Sequence, residues 1–438
     1  MTAPRPVAPA DRVGGSPRVI IVATNASTEL GGEAILPWHY FRLLRQRGVD
    51  AHLVTHERNR DNLLTQAPGE SSRIHFTKDR RASRFVERAG MRLPRNVKSM
   101  TVWLVMAAIT ALDLRRAARS LAATAPGPVV VHEPVPVSPR QPSFMTSMGA
   151  PVVIGPLNGG MTYPPGFQAQ VSRSERVVRR LVRSAADVAN LAVDGKRRAA
   201  VIMVANQRTS DALPRAVRAG NVVRMVENGV DLTTFAKRSE PPTGAPTFAF
   251  VGRLVDWKRV DLLLRAMVAT PRHYRLEVVG TGTLDNQLMR LAAELGVASR
   301  VRFHGQLSQD ECAAVLRQVD ALVLPSIYEC GGAVVLEAMA VGLPVIAADW
   351  GGPASYVVAG ETGLLIDPSS PAALEAGLAS SMRSLGEDRA LAWRMGAEGR
   401  ARVEAHFDWE RKIDQIGDIY RRAVRPAAAS DRGRPAHG

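Results

Sequence analysis

The feature that most constrains this 438-residue chain is a series of short, β-branched apolar runs, each trailed by a helical pattern, that is completed once and then begins again. Residues 18–24 (RVIIVAT), 51–55, 129–132, 151–154 and 200–205 form the first series. Residues 247–251 (TFAFV), 275–279 (RLEVV), 301–303, 321–324 and 344–347 form the second. A strand that is apolar throughout has to be covered on both faces, and crossover helices do that, so each series reads as a doubly wound, parallel α/β sheet. Between them, KRSEPPTGAP at 237–246 breaks all periodicity. The expectation is an α/β chain of two Rossmann-like domains, residues 16–230 and 247–407, with a linker at 231–246. A last helix within 408–425 lies beyond the second set of strands and is expected to pack back on the first domain. Residues 1–15 and 426–438, rich in Pro, Ala, Gly and charge, read as disordered tails.

Composition narrows the class. With 46% hydrophobic and 22% charged residues the chain has ample material for cores. Two cysteines, Cys312 and Cys330, are too few for a disulfide framework, and no His/Cys cluster has zinc spacing, so reduced thiols and no metal are expected. The first residues hold no apolar segment of the kind a secretory signal needs, which predicts a cytoplasmic protein. The net charge of +16 is unevenly placed: 35 of the 57 Lys and Arg but only 18 of the 41 Asp and Glu fall in residues 1–240. Nine basic residues lie within 73–98 and five within 173–183. Such a field attracts anions, a membrane surface included, although arginines on solvated helix faces would give the same count. The thirteen residues 100–112 (MTVWLVMAAITAL) are too short for a spanning helix of about 20 and read as a buried crossover helix, with an interfacial helix as the alternative.

In open α/β sheets ligands bind outside the carboxyl ends of the strands. In the second series those ends present Gly252-Arg253 with Lys258 beyond, then Gly280-Thr281-Gly282, then His304-Gly305, then Glu329-Cys330-Gly331-Gly332 with Glu337 further on. Glycines admit a ligand close to the backbone. Arg253 and Lys258 can neutralise a diphosphate, and a helix starting near Gly332 would aim free N–H groups at the same anion. Glu329 and Glu337 then make sense as acceptors for hydroxyls; in a continuous helix they would stand about 12 Å apart, the span from a sugar to a ribose across two phosphates. The ligand so described is a nucleotide sugar.

The pieces ENGVDLTTF at 227–235, VGRLVDWK at 251–258, VVGTG at 278–282, FHG at 303–305 and ECGGAVVLEAMAVGLPVIA at 329–347 resemble the retaining glycosyltransferases of family 4. That resemblance implies the GT-B fold, two Rossmann-like domains facing across a cleft. It implies that Arg253 and Lys258 bind the donor diphosphate, Glu329 the sugar hydroxyls and Glu337 the ribose. It also implies that the backbone of Gly331, Gly332, Ala333 and Val334 meets the sugar, beside Gly252, Gly280, Gly282, His304 and Gly305. The family's usual Phe after the first glutamate is Cys330 here. In the first half, Leu30-Gly31-Gly32-Glu33 resembles the family's glycine loop, His132-Glu133-Pro134 its cleft histidine, and GPLNGG at 155–160 stands at a strand end facing the cleft.

The expected activity is metal-independent transfer of a hexosyl group from a nucleoside diphosphate sugar to a saccharide or lipid-linked acceptor, with no cofactor, in envelope or exopolysaccharide synthesis. His132, Arg253, Lys258 and Glu329 are its candidate catalytic residues. The protein is expected in the cytoplasm or at the inner face of an anionic membrane, with no nucleic acid as partner. A nucleotide-sugar epimerase would share the architecture but needs no acceptor. A dinucleotide oxidoreductase is disfavoured because Asp285 stands where the third glycine of G-x-G-x-x-G belongs. A basic nucleic-acid- or membrane-binding protein without catalysis would leave the glutamates without a purpose, and aromatic residues are only 5%.

Overall fold

The structure, a computed structural model, describes residues 16–27, 32–78, 95–170, 184–217 and 221–425. Gly31, both tails, most of the first arginine-rich run and all of the second lie outside the described residues.

Two parallel sheets are present. The first contains β1 Arg18–Val22, β2 Ala51–His56, β3 Ile74–Thr77, β4 Val129–Glu133, β5 Val152–Leu157, β6 Val201–Val204 and β7 Val222–Arg224, in the order β3-β2-β1-β4-β5-β6-β7. The second contains β8 Thr247–Val251, β9 Arg275–Val279, β10 Val301–Gly305, β11 Ala321–Leu324, β12 Val345–Ala348 and β13 Gly363–Ile366, in the order β10-β9-β8-β11-β12-β13. All the strand runs read from the sequence are present. Three strands were not anticipated: β3, β7 and β13. The first two are edge strands of four and three residues that are only partly buried, so they lack the apolar runs that betray a central strand. In both sheets the chain reverses direction of travel at the centre, between β1 and β4 and between β8 and β11, which opens a crevice at the carboxyl ends.

The expected short crossover helix at 100–112 is instead the middle of a 29-residue helix, Arg95–Ala123, leading from β3 to β4. Residues 106–112 are half-buried rather than buried; the helix turns inward at Asp113, Leu114 and Ala118. Among the described residues no helix is long and apolar enough to cross a membrane.

The last helix, Trp409–Val424, begins at an Asp408 N-cap whose carboxylate accepts from the Glu410 N–H. Its apolar positions Trp409, Ile413, Ile416, Ile419 and Tyr420 fall at helical spacing and are buried in one core with Tyr40 and Phe41 of helix Leu36–Gln46, on the first sheet. The chain therefore crosses between the sheets twice, at 225–246 and at 407–409. The crossings are bonded side by side: the Val230 N–H donates to Phe407 O (2.9 Å) and the Trp409 N–H to Val230 O (3.3 Å).

Candidate active site

The carboxyl ends of β8, β9 and β10 bring three glycines together. The Gly280 N–H donates to Gly305 O (2.8 Å), and a Cβ at Gly280, whose φ is +124°, would collide with Gly252 O. Farther along, a Cβ at Gly282 would strike Leu254 O. This edge is bare backbone, so a ligand can lie directly on it. His304, on β10, is turned to Glu277 on β9 (Nε2 to Oε2, 2.5 Å), so its imidazole serves the sheet face rather than the edge.

Lys258 lies in the turn Asp256–Lys258 after β8, and its ammonium is bonded to the Glu329 carboxylate in the loop after β11. These two strands flank the switch point, which is why residues 71 apart in sequence meet. Both side chains keep some exposure, 12% and 17%. Arg253, the residue after Gly252, is exposed and leans over the Trp257 ring (5.9 Å). The helix anticipated near Gly332 is Ala333–Val341, with Gly332 as its N-cap in the left-handed region (φ +81°). Ala333 and Val334 are its first residues, where backbone N–H groups have no intrahelical partner. Because the helix starts only at Ala333, Glu329 sits in the loop ahead of it, and the 12 Å spacing reckoned for a continuous helix does not apply. Glu337, midway along the helix and half-buried, has its carboxyl pushed up to about 7 by burial.

From the first sheet, Gly32 opens a short helical turn, Gly32–Ile35, with φ +71°. The Glu33 carboxylate accepts from the Val137 N–H (3.3 Å), and burial raises its pKa. His132 is sealed in the protein at 0% exposure. Its Nε2 lies 2.6 Å from Gly155 O and its Nδ1 2.7 Å from the Tyr420 hydroxyl. A carbonyl can only accept, so Nε2 carries the proton and Nδ1 accepts from Tyr420. Burial lowers the imidazole pKa to about 4, so it is neutral near pH 7. Instead of opening into the groove, as the resemblance implied, His132 spends both nitrogens tying β4 to β5 and to the last helix.

The two sheets meet at their carboxyl ends. The Asn158 amide, from the GPLNGG loop, donates to Cys330 O (2.9 Å) and to the Glu227 carboxylate. Arg208 Nη2 donates to Cys330 O (3.3 Å), the Trp350 indole N–H donates to Thr162 O (2.8 Å), and Tyr163 packs on Tyr328 with ring centres 5.0 Å apart. Arg208, Glu227 and Trp350 were not singled out from the sequence as site residues. Asking what the end of β6 presents, as was asked of β8 to β11, would have found Arg208, four residues past that strand. Among the described residues no group of three or more His, Cys, Asp or Glu side chains is arranged to hold a metal ion.

Two doubly wound sheets with their carboxyl ends apposed across a groove define the GT-B fold. Residues 232–402 match the family model of glycosyl transferases group 1. Similar curated proteins include glycogen synthase of Mycobacterium tuberculosis, 36% identical over 211 residues (46% of this chain, 49% of that protein). Another is D-inositol 3-phosphate glycosyltransferase of Salinispora tropica, 33% identical over 250 residues (51% of each). The chain spans about half the length of these curated relatives. Among solved structures, sucrose-phosphate synthase of Thermosynechococcus elongatus aligns at TM-score 0.63 and 22% identity over 93% of this chain and 98% of that one. Anabaena HepE in complex with UDP and glucose aligns at TM-score 0.60 and 16% identity over 93% and 100%.

Replacing His132 with Ala should lower stability by about 2–4 kcal/mol in urea unfolding, because it leaves a cavity and strands the Tyr420 hydroxyl and the Gly155 carbonyl. Unchanged stability with lost activity would instead restore a direct catalytic role. Glu337 gives a pH signature. Its folded pKa lies above its unfolded one, so the folding penalty is absent below about 4.5 and grows as pH rises toward 7, on the order of 3 kcal/mol in all. Glu337→Gln should therefore narrow the difference in melting temperature between pH 5 and pH 8. An unaltered difference would show a solvated carboxyl.

Proposed function

We propose that this chain transfers a hexosyl group from a nucleoside diphosphate sugar to a saccharide or lipid-linked acceptor with retention of anomeric configuration. The observation that carries the reading is the Lys258–Glu329 pair, held over bare glycine backbone at the switch point of the second sheet and beside a helix N-terminus. A cation, a carboxylate and open N–H groups suit a ligand with a diphosphate at one end and hydroxyls at the other. The names of the relatives agree with that chemistry: glycogen synthase and an inositol phosphate glycosyltransferase by sequence, and HepE bound to UDP and glucose by fold.

In the proposed reaction the bond from the anomeric carbon to the diphosphate breaks as the acceptor oxygen bonds to that carbon on the same face. The acceptor's proton passes to the departing phosphate oxygen. The transition state resembles an oxocarbenium ion, and negative charge grows on the leaving diphosphate. Arg253, Lys258 and the N–H groups at Ala333 and Val334 stand where that charge develops, so side chains and backbone rather than a metal ion supply the stabilisation. Glu329, freed from part of its contact with Lys258 when the diphosphate arrives, accepts from sugar hydroxyls, and Glu337 from the ribose. Docking of the two domains excludes water from the sugar.

Arg253→Ala and Lys258→Ala should each reduce turnover at least about 100-fold while the melting temperature stays close to wild type. The assay offers UDP-, GDP- and ADP-sugars, identified beforehand by the rise each gives in melting temperature. Wild-type rates in both variants would remove the site. Loss of sugar nucleotide without any acceptor, through conversion to an epimer, would replace transfer by epimerisation.

The positive surplus in residues 1–240 supports an acceptor that is anionic or embedded in an anionic membrane face. Sedimentation with phosphatidylglycerol vesicles should then fall steeply between 50 and 500 mM salt, since exposed charges are screened within about 10 Å at 0.1 M. Binding indifferent to both salt and lipid charge would overturn that acceptor class.

A further inference from the structure

The loop carrying Glu329 receives two hydrogen bonds from the other domain, both at the Cys330 carbonyl oxygen. It accepts from Asn158 Nδ2 (2.9 Å) and from Arg208 Nη2 (3.3 Å). Neither donor is free to wander. Asn158 is 3% exposed; its Oδ1 accepts from Arg208 Nη2 (3.3 Å) and from the Thr209 hydroxyl (3.4 Å), and its Nδ2 also bonds Glu227. Arg208 is anchored a second time by Nε to Gly159 O (3.0 Å). The carbonyl and N–H of a trans peptide point in opposite directions, so holding Cys330 O toward the first domain turns the Gly331 N–H away from it. Gly331 cannot rotate independently, because Glu227 and Asn228 pack against its Cα so closely that a Cβ would collide with both.

We propose that Asn158 and Arg208 are positioning residues for the donor's sugar. From the first domain they set the Cys330–Gly331 peptide, and the sugar is held fully only while the two domains are docked. The nucleotide, resting on the second domain alone, binds without them. This rests on the nucleotide-sugar reading of the site. It assigns to the first domain a part in donor recognition that acts through the loop and not by touching the donor.

The test compares two ligands on each protein by calorimetry: UDP, GDP or ADP, and the matching UDP-glucose, GDP-mannose or ADP-glucose. Asn158→Asp keeps the shape but removes the donor to Cys330 O. Arg208→Ala removes the other donor from a half-buried side chain, so one variant remains informative if the buried change impairs folding. Trp350→Phe breaks a contact between the same domains without touching the Cys330 carbonyl. The expected result is affinity for the sugar nucleotide about 10-fold weaker in Asn158→Asp and Arg208→Ala, with the nucleoside diphosphate within about 2-fold of wild type, and neither ligand affected in Trp350→Phe. Equal losses for the two ligands, no loss, or the same loss in Trp350→Phe would overturn the inference while leaving the site reading intact. A wild-type protein that binds none of the sugar nucleotides would overturn the site reading, and this inference with it.

Discussion

The geometry of the groove depends on a backbone that has no room for side chains. Beyond Gly331, a Cβ at Gly351 would strike Glu329 O, and one at Gly352 would strike the carbonyls of both Cys330 and Gly331. The Gly352 N–H meanwhile donates to Glu329 O (2.8 Å). The loop from Glu329 to Gly332 is thus wedged between the turn after β12 and the Glu227–Asn228 segment, and it takes its shape from main-chain contact. That shape delivers Glu329 to Lys258 on one side and starts the helix Ala333–Val341 on the other. A bulkier residue at any of these glycines would displace carboxylate and helix terminus together.

The floor behind this loop is unusually rich in desolvated charge. Glu227 is buried and its pKa is raised by that burial, which the Asn158 amide and the positive charges of Lys412 and Arg208 oppose. Burial pulls Lys412 down to about 7, and its ammonium donates to Val226 O and lies 5.1 Å from the Trp409 ring centre. Groups of this kind are costly to bury and are strongly destabilising when only one partner is left. Their placement at the junction of the two crossings makes the relative position of the domains sensitive to small changes in local charge. An apolar junction would be more permissive.

The sheets were legible in the sequence because central parallel strands are buried on both faces and must be written as apolar runs; β1, β4 and β11 could hardly be read otherwise. Edge strands carry no such requirement, and β3 and β7 were invisible for that reason. In the site, Lys258 and Glu329 were legible because each follows a strand that ends at the same edge, and strand order alone brings them together. His132 was legible as a strand-end residue but not in its orientation, which the return of Tyr420 from 288 residues away decides. Glu227 lies within the recognisable ENGVD stretch, yet nothing local says that its carboxylate will be sealed against Gly331. Contacts made across a domain boundary leave no period or spacing in a single sequence, so Trp350 was silent and Arg208 was legible only as a residue just past the end of β6.

The return of the last helix explains how the contacts divide between pivot and jaw. The crossings at Val230 and at Phe407–Trp409 are bonded to each other, and a Cβ at Gly229 would strike the Trp409 indole, so these two segments can turn but can hardly slide. Any rotation of one domain against the other therefore runs close to this pair. Bonds near an axis change little in a rotation, and those farther out change more. Lys412, bonded to the carbonyl of Val226 on the neighbouring crossing, belongs to the first kind. Trp350 to Thr162 and the tilted Tyr163–Tyr328 ring pair, which join loops of opposite domains, belong to the second. Cys330 is reached by Asn158 and Arg208 from one domain and carried on the other. The loop that holds Glu329 is thereby tied to the buried charges as well as to the other domain, since the Asn158 amide that bonds Cys330 O also bonds the Glu227 carboxylate.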